Sequence, residues 1–446
     1  GNTASACGAV VAGGCSNTTS GSFSYSVGRE NTTSGDCSTI AGGLGNTVTG
    51  DSATIAGGKT NQARGDYSSL VGGLSSCAIG KASFVGGGTC NCVTGLSAFA
   101  GGGHINKVTG AASSIVGGST NTVSGSGSFI GGGSGSSATQ KESFVGGGTS
   151  NTSGAACTVV VGGESNTADG KYGIVGGGKN NSASGVHSVA LGGESNTVMG
   201  NCSIVIGGKA HTIYSNSSFV GGGFCNEVTS NSDYVTIPGG QENSVAADAD
   251  YGSIGGGQEN AITANHCHGT IAGGQENKVC GDFAAVTGGY QNCAGGCQVF
   301  VGGGYRNDAT GTRSVRAGGC ANTGCSSHSF IGGGDTNTDN GGCMTVIVGG
   351  CNNTLTGSVT GAFIGGGSAN KTCGKGSFIG AGLGNSMGCT NSEFGVIVGG
   401  VDNCITGCHA SILGGSKNCA LATCSSVAGG DNNCIGTAGT FGNIGG

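Results

Sequence analysis

Apolar residues occur along this chain in short clusters bounded by glycine, such as SFVGGG and SSIVGG, and never in a run long enough for a helix. Their β-branched content and alternation predict strands of three to five residues, with glycines supplying positive-φ turns between them. Aligning the chain on the glycine that precedes x-x-Asn gives Gly28, Gly43, Gly58, Gly73, Gly88 and Gly103, and so on to Gly223 in unbroken steps of 15 residues. Steps then lengthen to 17 (Gly240, Gly257, Gly274), return to 15 through Gly334, and vary between 15 and 18 up to Gly430. A fixed short period predicts an all-β parallel β-solenoid of about 28 coils, in which each coil depends on the coils stacked on it. No linker or boundary interrupts residues 1–446, which read as one continuous solenoid. Within it, 224–276 is a region of 17-residue coils and 265–446 a cysteine-dense half with 15 of the 24 cysteines.

The repeat reads G-x-x-N-[TSC]-[VA]-[TS]-G-x-x-S-h-h-[GAV]-G, with h being Val, Ile, Leu or Phe. Asn fills the fourth position in 25 of 28 coils, the exceptions being Ser76, Ser136 and His211. An amide recurring at one corner of stacked coils predicts a hydrogen-bonded ladder with a spacing of ~4.8 Å. Positions 12 and 14 point to one side of the second strand and position 13 to the other. Sizes at 12 and 14 compensate: Phe84 goes with Gly86 and Phe129 with Gly131, whereas Ser69 goes with Val71 and Ser114 with Val116. Position 13 is apolar as well, for example Ile40, Ile55, Leu70 and Val85. One coil interior can bury only one of these faces, so the other is expected to meet a second chain, which makes the protein an obligate homo-oligomer.

Composition narrows the function. With 105 glycines, one proline and no tryptophan, the chain is not an ordinary globular domain. Only 9% of residues are charged and the net charge is −6, so no basic field attracts nucleic acid or anionic lipid. No stretch approaches the ~18 apolar residues of a membrane helix, so no membrane insertion is expected of this chain. The N-terminal GNTASACGAV lacks the basic and apolar regions of a secretory signal, which suits a mature product or a fragment. Twenty-four cysteines suit an oxidising setting, extracellular or on a cell or virion surface.

Cysteines at one repeat position stack about 5 Å apart, within the window for a disulfide. Cys77 with Cys92, and Cys404, Cys419 and Cys434, share position 5 of adjacent coils, and Cys408 with Cys424 and Cys373 with Cys389 nearly do. Each is a candidate coil-to-coil disulfide, the alternatives being reduced residues or links between chains. Eight sequons offer glycosylation candidates at Asn17, Asn31, Asn151, Asn180, Asn201, Asn216, Asn352 and Asn370. Three GGQEN coils align Glu242, Glu259 and Glu276, a candidate Ca²⁺ site helped by Asp248 and Asp250, or else a solvated acidic ridge. His266, Cys267 and His268 lack a fourth zinc ligand and read as a surface turn. No paired acid and base stand out from the repeat, so neither enzyme activity nor a cofactor is expected.

The repeat resembles the head repeats of YadA-like trimeric autotransporter adhesins, which run G-x-x-S-x-A-[IVL]-G with a further x-A-x-G turn. The segment HSVALGGESNTVMGNCSIVIGG, residues 187 to 208, carries the resemblance most fully. Similar repeats occur in phage and large-virus fibres. The resemblance implies a left-handed β-roll, a homotrimer, and a rigid projection that binds host surface or matrix glycans and proteins; it brings no catalytic residue. The expected function is therefore the structural subunit of an extracellular or virion surface fibre, or of a head-to-tail filament. The alternatives are a host-attachment adhesin, a viral tail-fibre shaft, an ice-binding solenoid and a glycan-cleaving solenoid.

Overall fold

The computed structural model describes residues 1–357, 359–390, 392–437 and 441–445. It is an all-β parallel solenoid of about 29 coils. Each coil contributes one strand at positions 5 and 6 and a second at positions 12 and 13, such as Thr47–Val48 and Thr54–Ile55. Both continue in register one coil on, Thr47 beside Gln62 and Thr54 beside Ser69. A third line of single bridges runs through position 2, Leu44 to Lys59 to Leu74. The strands are shorter than their apolar clusters predict: two residues, or three at Thr338–Asn340 and Thr354–Thr356.

The turns explain this shortness. In the 15-residue coils the chain enters the left-handed region at positions 1, 3 and 10, and two of these are commonly not glycine: Glu30 and Thr60 occupy position 3, Cys37 and Tyr67 position 10. A left-handed residue reverses the direction of its amide. Thr47 N–H donates forward to Asn61, whereas Thr60 and Tyr67 donate back to Leu44 and Asp51, each at 2.8 Å. These backward bonds offset the steric cost of L-residues with positive φ. Glycine is indispensable at position 1 for another reason. A β-carbon on Gly43 would lie 2.2 Å from the carbonyl oxygen of Gly58 in the next coil.

Positions 4, 6, 8, 11 and 13 face inward, giving a thin core of residues such as Ile40, Val48, Ile55, Ala63 and Leu70. Some polar members are satisfied locally, as where Ser113 Oγ donates to Gly110 O at 2.6 Å, whereas Ser68, Ser83 and Ser188 at the same position have buried hydroxyls without a partner. Asn46 is typical of position 4. Its Nδ2 donates to Gly42 O and Gly58 O, at 3.2 and 3.0 Å, and its Oδ1 accepts the backbone N–H of Asn61 at 2.9 Å. Where Ser76 replaces Asn, its Oγ accepts the N–H of Asn91 at 3.2 Å, so the ladder continues through the substitution.

The chain divides into two compact units, residues 1–222 and 223–446. From Gly28 onward the first keeps the 15-residue step throughout. The second absorbs its extra residues in turns, the 17-residue coils enlarging the segment between the two strands at 229–235, 246–252 and 263–269. It also buries two charges. Arg316 occupies inward position 13 and Asp339 inward position 6, both with no solvent exposure. Gly324, on the coil between them, makes room: a β-carbon there would sit 2.6 Å from Arg316 Nη2.

Candidate interaction surface

With position 13 inside the coil, positions 12 and 14 face outward on the second sheet. In the first unit this face carries Val71, Phe99, Val116, Phe144, Val161, Ile174, Leu191, Ile204 and Ile206, all exposed; Val161 is 54% accessible and Phe99 37%. In the second unit it carries Phe300, Phe330, Val348, Phe378, Val398 and Leu413. Between these, Thr236, Ser253, Thr270 and Ala285 hold position 12 in the long coils and the coil after them, so the apolar stripe is interrupted there.

The size compensation has a direct geometric cause. Each Phe at position 12 lies along the strand over position 14, so that a β-carbon on Gly86 would stand 3.4 Å from Phe84 Cε1, and one on Gly332 3.0 Å from Phe330 Cε1. Rings on adjacent coils then stack: Phe84 with Phe99 at 5.2 Å, Phe129 with Phe144 at 5.4 Å, and Phe363 with Phe378 at 5.2 Å. Each such coil therefore shows one large apolar group on this face, a ring over glycine or a valine beside serine. No family model and no curated protein matches this chain.

The cysteine candidates divide. Cys373 and Cys389 form a disulfide with Cα atoms 4.6 Å apart. Cys77 and Cys92 are strand partners whose free sulfurs stand 2.6 Å apart, well inside sulfur–sulfur van der Waals contact. The Cys77 thiol lowers the pKa of Cys92 to about 7, and Cys92 raises that of Cys77. Cys404, Cys419 and Cys434 stand in one register as free thiols, while Cys408 and Cys424 sit at neighbouring positions and are also free. Another thiol pair escaped the repeat-position rule. Cys293, at position 5, lies diagonally across the ladder from Cys280, at position 7 of the coil before, and its thiol lowers the Cys280 pKa to about 6. Positions 5 and 7 both face outward from the first sheet, so the alternation of the strand could have revealed it.

The remaining candidates are placed plainly. Asn17, Asn31, Asn151 and Asn370 belong to the buried ladder. Asn17 Nδ2 donates to Gly13 O and Gly28 O, and Asn31, Asn151 and Asn370 Nδ2 donate to Val27, Gly147 and Gly366 carbonyls. An N-glycan needs an accessible amide nitrogen, so these four expectations are corrected. Asn180, Asn201, Asn216 and Asn352 are exposed. Glu242, Glu259 and Glu276 do align at position 3. Each carboxylate accepts an amide hydrogen bond from its own coil's Gln241, Gln258 or Gln275, at 3.0, 2.8 and 3.3 Å. Asp250 instead accepts the N–H of Asp233 in a different turn, and Asp248 lies in that turn as well. Among the described residues no group of three acidic, His or Cys side chains is placed to hold a metal ion. His268 belongs to a stacked column, Tyr234–Tyr251–His268–Phe283, with ring centroids 5.0, 4.8 and 4.6 Å apart.

Proposed function

We propose that this chain is the structural subunit of a fibre on a cell or virion surface, assembled by copies of itself packing side by side along the outward face of the second sheet. The observation that carries the reading is the apolar stripe at positions 12 and 14, repeated coil after coil in each unit. A monomer leaves such a surface in water at a cost proportional to its area. A second copy offers the same stripe with the same spacing of ~4.8 Å, so the two faces match along their length. Three chains around one axis, as in the resembling adhesin heads, would cover every stripe. A left-handed coil, an extracellular setting, and a role in host attachment or as a tail-fibre shaft follow from that resemblance and rest on it.

An ice-binding face would need Thr-x-Thr in register over many coils. Thr47 and Thr49 are followed one coil on by Gln62 and Arg64, then by Cys77 and Ile79.

The test is the oligomeric state of the intact chain by light scattering, with cryo-electron microscopy of the particles. The expected result is an oligomer that falls to monomer in a Val116→Lys, Val161→Lys, Leu191→Lys variant with an unchanged circular dichroism spectrum. A wild-type monomer at micromolar concentration overturns the proposal.

A further inference from the structure

On the outward face of the first sheet, Cys404, Cys419 and Cys434 are consecutive Cα partners in one parallel ladder. Adjacent members are one strand spacing apart, about 4.8 Å, which lies inside the Cα range for a disulfide. The outer two are separated by two spacings, roughly 9.6 Å, and lie outside that range. Only two disulfides can therefore form within this column, Cys404–Cys419 or Cys419–Cys434. Both contain Cys419, and each leaves one outer thiol on the coil next to the bond. Thiol–disulfide exchange proceeds by attack of a thiolate on a disulfide sulfur, with the opposite sulfur leaving. The ladder stacks the three cysteines on successive coils, the order that such an exchange requires.

We propose that Cys404, Cys419 and Cys434 form a thiol–disulfide relay that accepts oxidising equivalents from a low-molecular-weight disulfide and keeps one transferable thiol. Cys434, the exposed member, is the entry point; Cys404 and Cys419 are partly buried. Its thiolate attacks one sulfur of the external disulfide, forming a mixed disulfide and releasing one thiolate. Cys419 then attacks the Cys434 sulfur and expels the second thiolate. Two protein thiols have lost two electrons and two protons, and the external disulfide has become two thiols. Next, the Cys404 thiolate attacks Cys419, forming Cys404–Cys419 and freeing Cys434, with no net gain or loss of electrons. The thiol thus returns to the exposed end, ready to attack another disulfide.

Burial and its two neighbouring thiols raise the pKa of Cys419. A higher-pKa sulfur is the poorer leaving group, so an outer cysteine departs and the middle one stays bonded. The column at Cys77 and Cys92 is an internal control. It is flanked by Gln62 and Lys107, so a disulfide there would leave no third thiol in line. The relay is independent of the fibre proposal, because it needs only one chain.

The experiment treats the full-length chain with oxidised glutathione, alkylates it with N-ethylmaleimide over a wide range of concentrations, and maps the peptides by mass spectrometry. Cys419 is expected in a disulfide whenever the column is oxidised, with the maleimide on Cys404 or Cys434. Lowering the maleimide concentration should raise the Cys434-to-Cys404 labelling ratio several-fold, because slow trapping lets exchange refill the exposed thiol. A Cys434→Ser variant, lacking the entry thiol, should form Cys404–Cys419 many-fold more slowly than the wild type and, once oxidised, carry no maleimide within the column. A ratio independent of reagent concentration overturns the relay. So does a Cys404–Cys434 link, labelled Cys419 beside an intact column disulfide, or glutathione adducts with no internal disulfide.

Discussion

Residues 1–222 and 223–446 build the same coil by different means. From Gly28 onward the first unit repeats without insertion, interrupts its asparagine ladder at Ser76, Ser136 and His211, and keeps its inward positions free of carboxylate and guanidinium groups. The second varies its coil length yet carries asparagine at position 4 without a break from Asn226 to Asn433. Its ladder is also better bonded. Asn307 Nδ2 donates to Asn292 Oδ1 at 3.1 Å as well as to the Gly303 and Gly319 carbonyls, whereas Asn106 Nδ2 donates only to the Gly102 and Gly118 carbonyls. The comparison teaches that the solenoid tolerates insertion between strands where its corner amides stay continuous. Turn length is free because turns face water, whereas the corner must supply a partner for each buried backbone amide.

The largest expected difference between the units lies at the buried charges. Arg316 donates to Val315 O and Ser329 Oγ, both at 3.1 Å, and leaves Nε and Nη2 without a partner. Burial lowers its pKa, against which Asp339 and Asp308 act. Asp339 is itself held by Ser326 and Thr345. Asp339→Leu alone should therefore destabilise the second unit by about 1 to 3 kcal/mol, because Ser326 and Thr345 lose their buried acceptor and Arg316 loses a charge that acts on it from beyond ion-pair contact. Arg316→Val combined with Asp339→Val should recover part of that loss. Thermal unfolding, with hydrogen exchange followed over 308–345, checks both, and a fully stable Asp339→Leu would refute the account.

A smaller effect is expected at the corner. Asn307→Ala should cost about 0.5 kcal/mol more than Asn106→Ala, because the two N–H groups of the amide share three acceptors and the third adds only part of a hydrogen bond. Denaturant unfolding of the two variants measures the difference, and equal losses would show that the side-chain ladder adds nothing to the backbone bonds.

The smallest effect leaves stability aside. The pKa of Cys92 in the first unit is lowered to about 7 and that of Cys280 in the second to about 6, in each case chiefly by the neighbouring partner thiol. Iodoacetamide labelling should rise with pH through those values, Cys280 reaching half-maximal rate about one unit below Cys92. Removing the partner thiol, Cys77→Ala or Cys293→Ala, should move the corresponding midpoint upward. Rates that rise together only above pH 8 would remove the acidified pairs from both units.

Much of this architecture was legible because a repeat states its pattern many times. Gly28 to Gly223 in steps of 15 predicted parallel in-register stacking, and Asn at position 4 predicted the corner ladder. Phe84 with Gly86 against Ser69 with Val71 predicted that positions 12 and 14 share space. The misreadings came from residues that look alike in sequence. Asn17 and Asn180 both head a sequon, yet one is a buried ladder member and the other an exposed turn residue, and only the repeat register separates them. The aligned glutamates left a cation site or a solvated acidic ridge open, and the glutamine hydrogen bonds to each carboxylate were not visible in the sequence.

The sequence by itself determined the class of fold, the period, and which positions alternate, since these follow from side-chain spacing of two along a strand and from glycine where backbones nearly touch. The tertiary structure alone decided which face of each strand turned inward, which left-handed turns an L-residue could occupy, and which sulfurs came together. Those outcomes depend on contacts between residues one whole coil apart. Neighbouring coils stand about 4.8 Å apart in space and about 15 residues apart along the chain, and no local pattern reports that proximity.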